Sequence, residues 1–255
     1  MSRWILSFLG AYVGQAVGTL ALFGLVFLIT RRWAARALEG RRIITRGSGS
    51  DRSQLFHEIG HTLVVFAVGT AQAMAVQTLH ENGETKLIEG LGPWGLGGAI
   101  GAFVGLILFN DLWFYSVHRL LHSPFLYKHI HSVHHRSIDV NPFSSYSFHL
   151  IEAILVTGWV LPAAMFIPFP LPVLMFTQGV GLANNLMAHL GYELLPRWWV
   201  DVPILRWSNS ATFHSMHHVR FKGNYGLFLR VWDRLFGTEL DQYEETFARA
   251  HPPKA

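Results

Sequence analysis

From Trp4 to Thr30 the chain runs 27 residues without a charge. A helix needs about 20 apolar residues to span the hydrocarbon of a bilayer. A cleavable leader carries an apolar core of only about 7–15 residues, followed by a small-residue cleavage site. This run is longer and passes directly into Arg31-Arg32, so it reads as a membrane helix. Composition agrees with a largely apolar surrounding: 14% of the 255 residues are charged, against about 25% in soluble domains. Cysteine is absent, which rules out disulfides and thiolate metal ligands. The formal charge of +4 resolves into local basic clusters and gives no reason to expect a nucleic-acid partner.

The loop after the first helix holds Arg31, Arg32, Arg36, Arg41, Arg42, Arg46 and Arg52, which marks it as cytoplasmic. A second apolar stretch, 55–76, leads to a short loop with Glu81, Glu84 and Glu89 against Lys86 alone, expected outside. A third, 91–110, returns the chain to the cytoplasmic side. Residues 150–167 and 171–187 form an apolar hairpin broken by Pro168 and Pro170; it crosses twice, or dips in and returns. The polar tail is rich in Trp, His and Arg. The expected fold is all-α: a multi-pass membrane bundle of four to five apolar segments with a cytoplasmic, His-rich helical cap. The expected divisions are 1–90 (membrane helices and basic loop), 91–245 (the catalytic domain) and 246–255 (a tail). Gly10, Gly14 and Gly18 share one helix face, as do Gly97, Gly101 and Gly105. Small residues four apart let membrane helices approach closely, so the first and third helices are expected to pack there.

Fifteen histidines against 20 Lys plus Arg are the chain's chemical signature. His118 and His122 stand four apart, on one helix face. His131, His134 and His135 form a second group, whose spacings of three and four are expected to put all three rings on one side of a helical turn, with Ser123-Pro124 turning the chain between the two. His214, His217 and His218 repeat the second pattern, and His189 ends the last apolar stretch. These nine fall on one side of the membrane. Structural zinc takes four ligands, so nine imidazoles suit two ions; iron, zinc, copper and nickel all accept them. His80, His129 and His251 read as ordinary histidines. Trp198, Trp199 and Trp207 suit membrane anchoring, and Arg220, Lys222 and Arg230 suit lipid headgroups, an acidic partner or plain solvent.

Two rival functions remain open on the residues alone. His57-Glu58-Ile59-Gly60-His61 matches the zinc-protease helix motif, which implies an intramembrane metalloprotease with Glu58 as base, although no partner motif supplies a third ligand. A histidine-rich metal transporter is the other, but it needs ligands within the bilayer core, and these clusters lie outside it.

The order H-x3-H, H-x2-HH, H-x2-HH across apolar hairpins resembles the fatty acid hydroxylase/sterol desaturase superfamily. The context resembles it too: Asp111 to Tyr115 before the first box, His149 to Glu152 opening the hairpin, then Asn224-Tyr225-Gly226 and Trp232 to Thr238 after the last box. The resemblance covers about residues 95–240. It implies a cytoplasmic di-iron site (zinc is an alternative occupant) with dioxygen as cosubstrate, an external electron-transfer protein and a lipid substrate that is hydroxylated or desaturated. It places His118, His122, His131, His134, His135, His189, His214, His217 and His218 as metal ligands. Where some members carry a further histidine, this chain has Asn185. Asp111, Glu152 and Asp233 are candidates to orient the imidazoles through their second nitrogen.

Overall fold

The computed structural model describes residues 3–43 and 52–251; Arg46 and residues 252–255 of the expected tail lie outside them. Among the described residues, three helices are long and apolar enough to cross a membrane. The first, α1 (Arg3–Leu28), runs on through a π-turn at Ile29–Trp33; a short α2 (Ala35–Leu38) follows. The other two are α3 (Arg52–Glu81) and α4 (Gly95–Leu121). Their flanks expose large apolar side chains such as Val13, Val17, Ile100 and Val104, as expected of surfaces that meet lipid.

The hairpin consists of α6 (Leu150–Thr157), α7 (Val160–Phe166) and α8 (Leu171–Ala188). Pro162 explains the break between α6 and α7: it lacks an N–H, and its ring would clash with the carbonyl of Gly158 in a continuous helix. The hairpin tip, β2 (Phe169–Pro170), pairs in parallel with β1 (Leu87–Ile88) in the loop between α3 and α4, and Lys86 N–H donates to Ala164 O at 2.8 Å. The hairpin therefore reaches the end of the bundle remote from His118 and His122, and its two arms run alongside α4. With 18 residues, α8 is about 27 Å long, close to the roughly 30 Å of a hydrocarbon core. An apolar cluster of Leu106, Trp159, Ala163, Phe169 and Leu174 fills the space between α4 and the hairpin.

The two glycine faces do not meet. All six glycines are exposed, and nothing lies within 4 Å of where a Cβ would sit on any of them. Instead α1 packs on α3 and on the turn Pro142–Tyr146, and α4 packs on α6 and α8. Larger side chains decide this. Phe23, fully buried, stacks on Tyr146 and meets Phe143 edge-on. Which face a helix presents depends on such partners, and a glycine repeat alone does not specify it.

At the histidine end, α5 (Pro124–His129), a 3-10 segment His131–Arg136, α9 (Ala211–Arg220), α10 (Val231–Leu235) and α11 (Tyr243–Arg249) form the cap. The basic loop docks on it. Arg31 reaches Asp139 at 3.9 Å, Arg42 bridges Tyr192, and Arg41 donates to Leu194 O at 3.1 Å. The boundary expected at 245 falls within α11, whose Phe247 is buried against Phe213 and Tyr243.

Candidate metal centre

Helical geometry distributes the nine histidines. Successive side chains project about 100° apart on an α-helix and about 120° apart on a 3-10 helix, so adjacent His-His rings cannot point at the same spot. On an α-helix residues four apart nearly can; along the 3-10 segment His131–Arg136 they lie about 120° apart, so the period does not by itself pair His131 with His135. His118 with His122 and His131 with His135 join His217 in one cluster; His214 with His218 join His134 and His189 in a second. Each H-x2-HH motif thus sends its outer pair to one cluster and its middle ring to the other. The clusters adjoin: ring centroids of His135 and His218 lie 4.8 Å apart, and those of His134 and His135 5.6 Å.

Hydrogen bonds fix how the rings present themselves. The Nδ1 atoms of His118, His189, His217 and His218 sit 2.9, 2.9, 2.6 and 3.0 Å from the carbonyl oxygens of Tyr225, Asn185, Gly223 and Ser137. His131 Nδ1 sits 2.7 Å from Glu152 Oε1. Carbonyls only accept, so Nδ1 carries the proton and Nε2 is left with a bare lone pair. The Phe221 carbonyl likewise accepts from the His122 ring. The Nε2 atoms within each set lie close together: 3.2 Å from His122 to His217, 3.1 Å from His131 to His135, 3.0 Å from His135 to His217, 3.2 Å from His189 to His214 and 3.0 Å from His214 to His218, while Nδ1 of His134 and of His135 has no hydrogen-bond partner among the described residues. Between His122 and His217 two lone pairs face each other, and these repel unless a cation lies between them. Nitrogens about 2.1 Å from one ion at right angles lie about 3.0 Å apart, so the donor set fits two transition-metal ions.

Burial first, and the neighbouring rings second, hold His131, His134, His135, His214, His217 and His218 well below the ordinary imidazole pKa. Burial brings His122 and His189 down to about 4. The donors are therefore neutral near pH 7, the state in which they bind metal.

The proposed supporting carboxylates act differently from one another. Glu152 bonds a ring directly. Asp111 accepts from the backbone N–H of Phe228 at 2.7 Å and of Leu227 at 3.2 Å, and from Trp232 Nε1 at 2.9 Å; it holds a loop rather than an imidazole. Asp233 accepts from Tyr225 N–H and Gly226 N–H at 2.8 and 2.7 Å. It thereby fixes the residue whose carbonyl receives His118. Asn185 turns its amide N–H2 to Ser145 O at 2.6 Å. A small cavity of about 20 Å³, room for about one water, touches both clusters; Asn185, Glu152, Phe114, Phe148 and Leu227 are among its walls.

His57 and His61 stand apart from these clusters. Their rings lie 4.4 Å apart, but His57 Nδ1 accepts from Arg136, and His61 Nδ1 bonds Phe148 O. Glu58 is fully buried and accepts from Ser137 Oγ at 2.7 Å, Gln54 Nε2 at 2.7 Å and Asn141 Nδ2 at 2.9 Å. Its oxygens clamp the 137–141 turn, which carries the acceptor for His218, and so are not placed as a general base. Among the described residues no third ligand joins the pair. Sequence reading missed this clamp, although a carboxylate inside an apolar helix was a visible signal. Arg230 is also placed otherwise than expected: it is wholly buried, donates to Arg206 O and Glu239, and lies 3.9 Å over the Tyr243 ring. His80 bonds Thr85, and His251 bonds the carbonyls of Phe247 and Leu195. Of the tryptophans, Trp198 is exposed, while Trp199 donates to Ser208.

The family model for fatty acid hydroxylases matches residues 103–238, more than half of the chain. The chain belongs to that family. Among curated relatives of this fatty acid hydroxylase family member, a Delta(7)-sterol 5(6)-desaturase of Aspergillus fumigatus is 37% identical over 56% of this chain and 38% of its own length. A lathosterol oxidase of Homo sapiens is 29% identical over 73% of this chain and 62% of its own. A very-long-chain aldehyde decarbonylase of Oryza sativa is 31% identical over 59% and 25%. The chain thus spans about two fifths of the length of this Aspergillus desaturase and of a similar one from Neurospora crassa. No solved structure matches.

Proposed function

We propose that this fatty acid hydroxylase family member is a membrane oxygenase that hydroxylates or desaturates a lipid of sterol or fatty-acyl type at a pair of iron ions. One observation carries the reading: two adjoining sets of imidazole nitrogens with metal-sized spacing share one small, partly apolar cavity. His118, His122, His131, His135 and His217 would hold one ion; His134, His189, His214 and His218 the other. Iron supplies dioxygen binding and redox chemistry that these side chains lack. Hydroxylation takes one lipid C–H, O2, two electrons and two protons to an alcohol and one water; desaturation takes two C–H bonds and the same reagents to an alkene and two waters. The electrons come from an external carrier.

The chain's own residues supply position and exclusion. The carbonyls of Tyr225, Gly223, Ser137 and Asn185, with Glu152, hold the rings so that Nε2 faces inward. Phe114, Phe148, Val156 and Leu227 give the cavity apolar walls that admit a hydrocarbon and exclude water. At the four-histidine cluster Asn185 leaves a position without a strong donor, beside the cavity. The basic loop docked on the cap supports a cytoplasmic centre by the positive-inside rule.

The test uses the purified chain in detergent and lipid extracts of expressing cells. We expect about two irons per chain, and products heavier by one oxygen or lighter by two hydrogens. His134→Ala should abolish that dioxygen-dependent change while the protein still inserts. Retained turnover in this variant would refute the reading.

A further inference from the structure

A single layer of aromatic rings separates the five-histidine cluster from the outside. The Tyr127 ring lies 5.5 Å from that of His122 and 5.6 Å from that of His135. The Phe221 ring lies 5.4 Å from His135 and 6.3 Å from Tyr127. Tyr127 is half-buried, Phe221 is exposed, and His122 itself is partly exposed, whereas all four rings of the other cluster are buried. The five-histidine cluster is therefore the one within reach of a protein touching the surface.

Phe221 is held there against its conformational preference. It closes α9 with φ 59° and ψ 16°, the left-handed region where glycine is the usual residue and which bulky side chains rarely adopt. Its N–H caps His217 O at 2.8 Å and its carbonyl serves His122, but a glycine would make both bonds. The ring is not needed for them, and a strained position kept beside a metal cluster points to a use for the side chain.

The window's own two segments are basic, while the adjoining tail segment brings exposed Asp241 beside Gln242, the partner of Arg220. No Asp or Glu occurs from residue 112 to 138 or from 202 to 232, the two segments that build this window. Lys128 follows Tyr127, and Arg220 and Lys222 flank Phe221; all three are exposed. Among the described residues none of them pairs with a carboxylate, and Arg220 bonds only the neutral Gln242 amide oxygen, at 3.0 Å.

We infer that Tyr127 and Phe221, ringed by Lys128, Arg220 and Lys222, form the docking face for an acidic one-electron carrier protein, so that electrons enter through the five-histidine cluster. This rests on the oxygenase reading. Each encounter oxidises the carrier by one electron and reduces one ferric ion to ferrous; two encounters deliver the two electrons of one turnover. Neither Tyr127 nor Phe221 lines the cavity shared by the clusters, so the docking face is separate from that cavity. Small, transient contacts steered by charge are typical of such encounters. An anionic membrane surface would also suit the cations, but would give the strained ring over His135 no role.

The experiment uses the full chain in neutral nanodiscs, with an acidic plant-type [2Fe–2S] ferredoxin as the probe. Zinc-loaded protein, which is redox-silent, reports docking alone. Binding should weaken about tenfold between about 50 and 200 mM salt, and Lys128→Glu with Lys222→Glu should weaken it by about tenfold more. With iron-loaded protein, Phe221→Gly should slow anaerobic oxidation of reduced ferredoxin by about tenfold or more, while metal content and reduction by dithionite stay unchanged. Binding that ignores both salt and charge reversal, or charge reversal that affects only attachment to anionic vesicles, overturns the proposal. A chain that takes up no iron overturns the oxygenase reading instead.

Discussion

Glu152 offers the sharpest test of how the centre is held. Its Oε1 lies 2.7 Å from His131 Nδ1, and both side chains are 1% exposed. Glu152→Ala leaves the His131 N–H buried without an acceptor, at a cost of about 1–3 kcal/mol. It also frees the ring to turn, and loss of a partner of this kind typically lowers metal affinity about 10–100-fold. At about 1.4 kcal/mol per tenfold the two figures agree. Glu152→Gln keeps an accepting oxygen for the His131 N–H, so its loss should be smaller. Zinc should be titrated against a chromophoric chelator in detergent, where the two clusters give separable steps. One step should weaken in the order Glu, Gln, Ala, with the other nearly unmoved. If the Ala curve overlays the wild type, Glu152 does not hold His131 and the account of the bare Nε2 atoms fails.

Four further outcomes follow from the geometry. Asn185→His should add a fifth donor to the smaller cluster and slow zinc loss to chelator about tenfold; unchanged loss would mean residue 185 cannot reach the ion. Asp111→Ala strands the N–H groups of Phe228 and Leu227 and the indole of Trp232, and should cost about 3 kcal/mol, read as a lower midpoint of thermal unfolding in detergent. Gly14→Leu with Gly101→Leu should leave that midpoint unmoved, because both sites face open space; a clear drop would mean a helix contact that the fold does not show. In the metal-free protein, His122 and His189 titrate near 4 when folded and near 6.5 when unfolded. The unfolded chain then binds more protons as pH falls from about 6.5 to about 4, so stability must decline across that window and be level in these groups above it. Denaturant unfolding at several pH values would expose the opposite slope.

The histidines were legible because spacing along one helix fixes direction without knowledge of any partner. The pairings of His118 with His122 and of His214 with His218, and the diversion of His217, follow from that same periodicity; the split of His134 from His131 and His135 does not, since all three were expected on one side of a turn. Glycine faces mislead, because two candidate stripes say nothing about which other helices stand between them; Phe23 and the hairpin settled it. The groups that orient the rings were mostly invisible, since Tyr225, Gly223 and Ser137 act through carbonyls that every residue carries. Asp111 and Asp233 belong to the region as expected, but they work one step removed, on the backbone that presents those carbonyls. Arg230 looked like a surface cation because charge suggests solvent; Glu239 and the face of Tyr243 receive it inside.

The H-x2-HH motifs have a mechanical consequence. A segment that contributes to both clusters cannot shift to suit one ion without displacing donors from its neighbour. If α9 slides, His214 and His218 move in one pocket and His217 in the other. A change confined to a single ring, such as loss of the Glu152 bond, stays in its own pocket, whereas a displaced backbone degrades both pockets together.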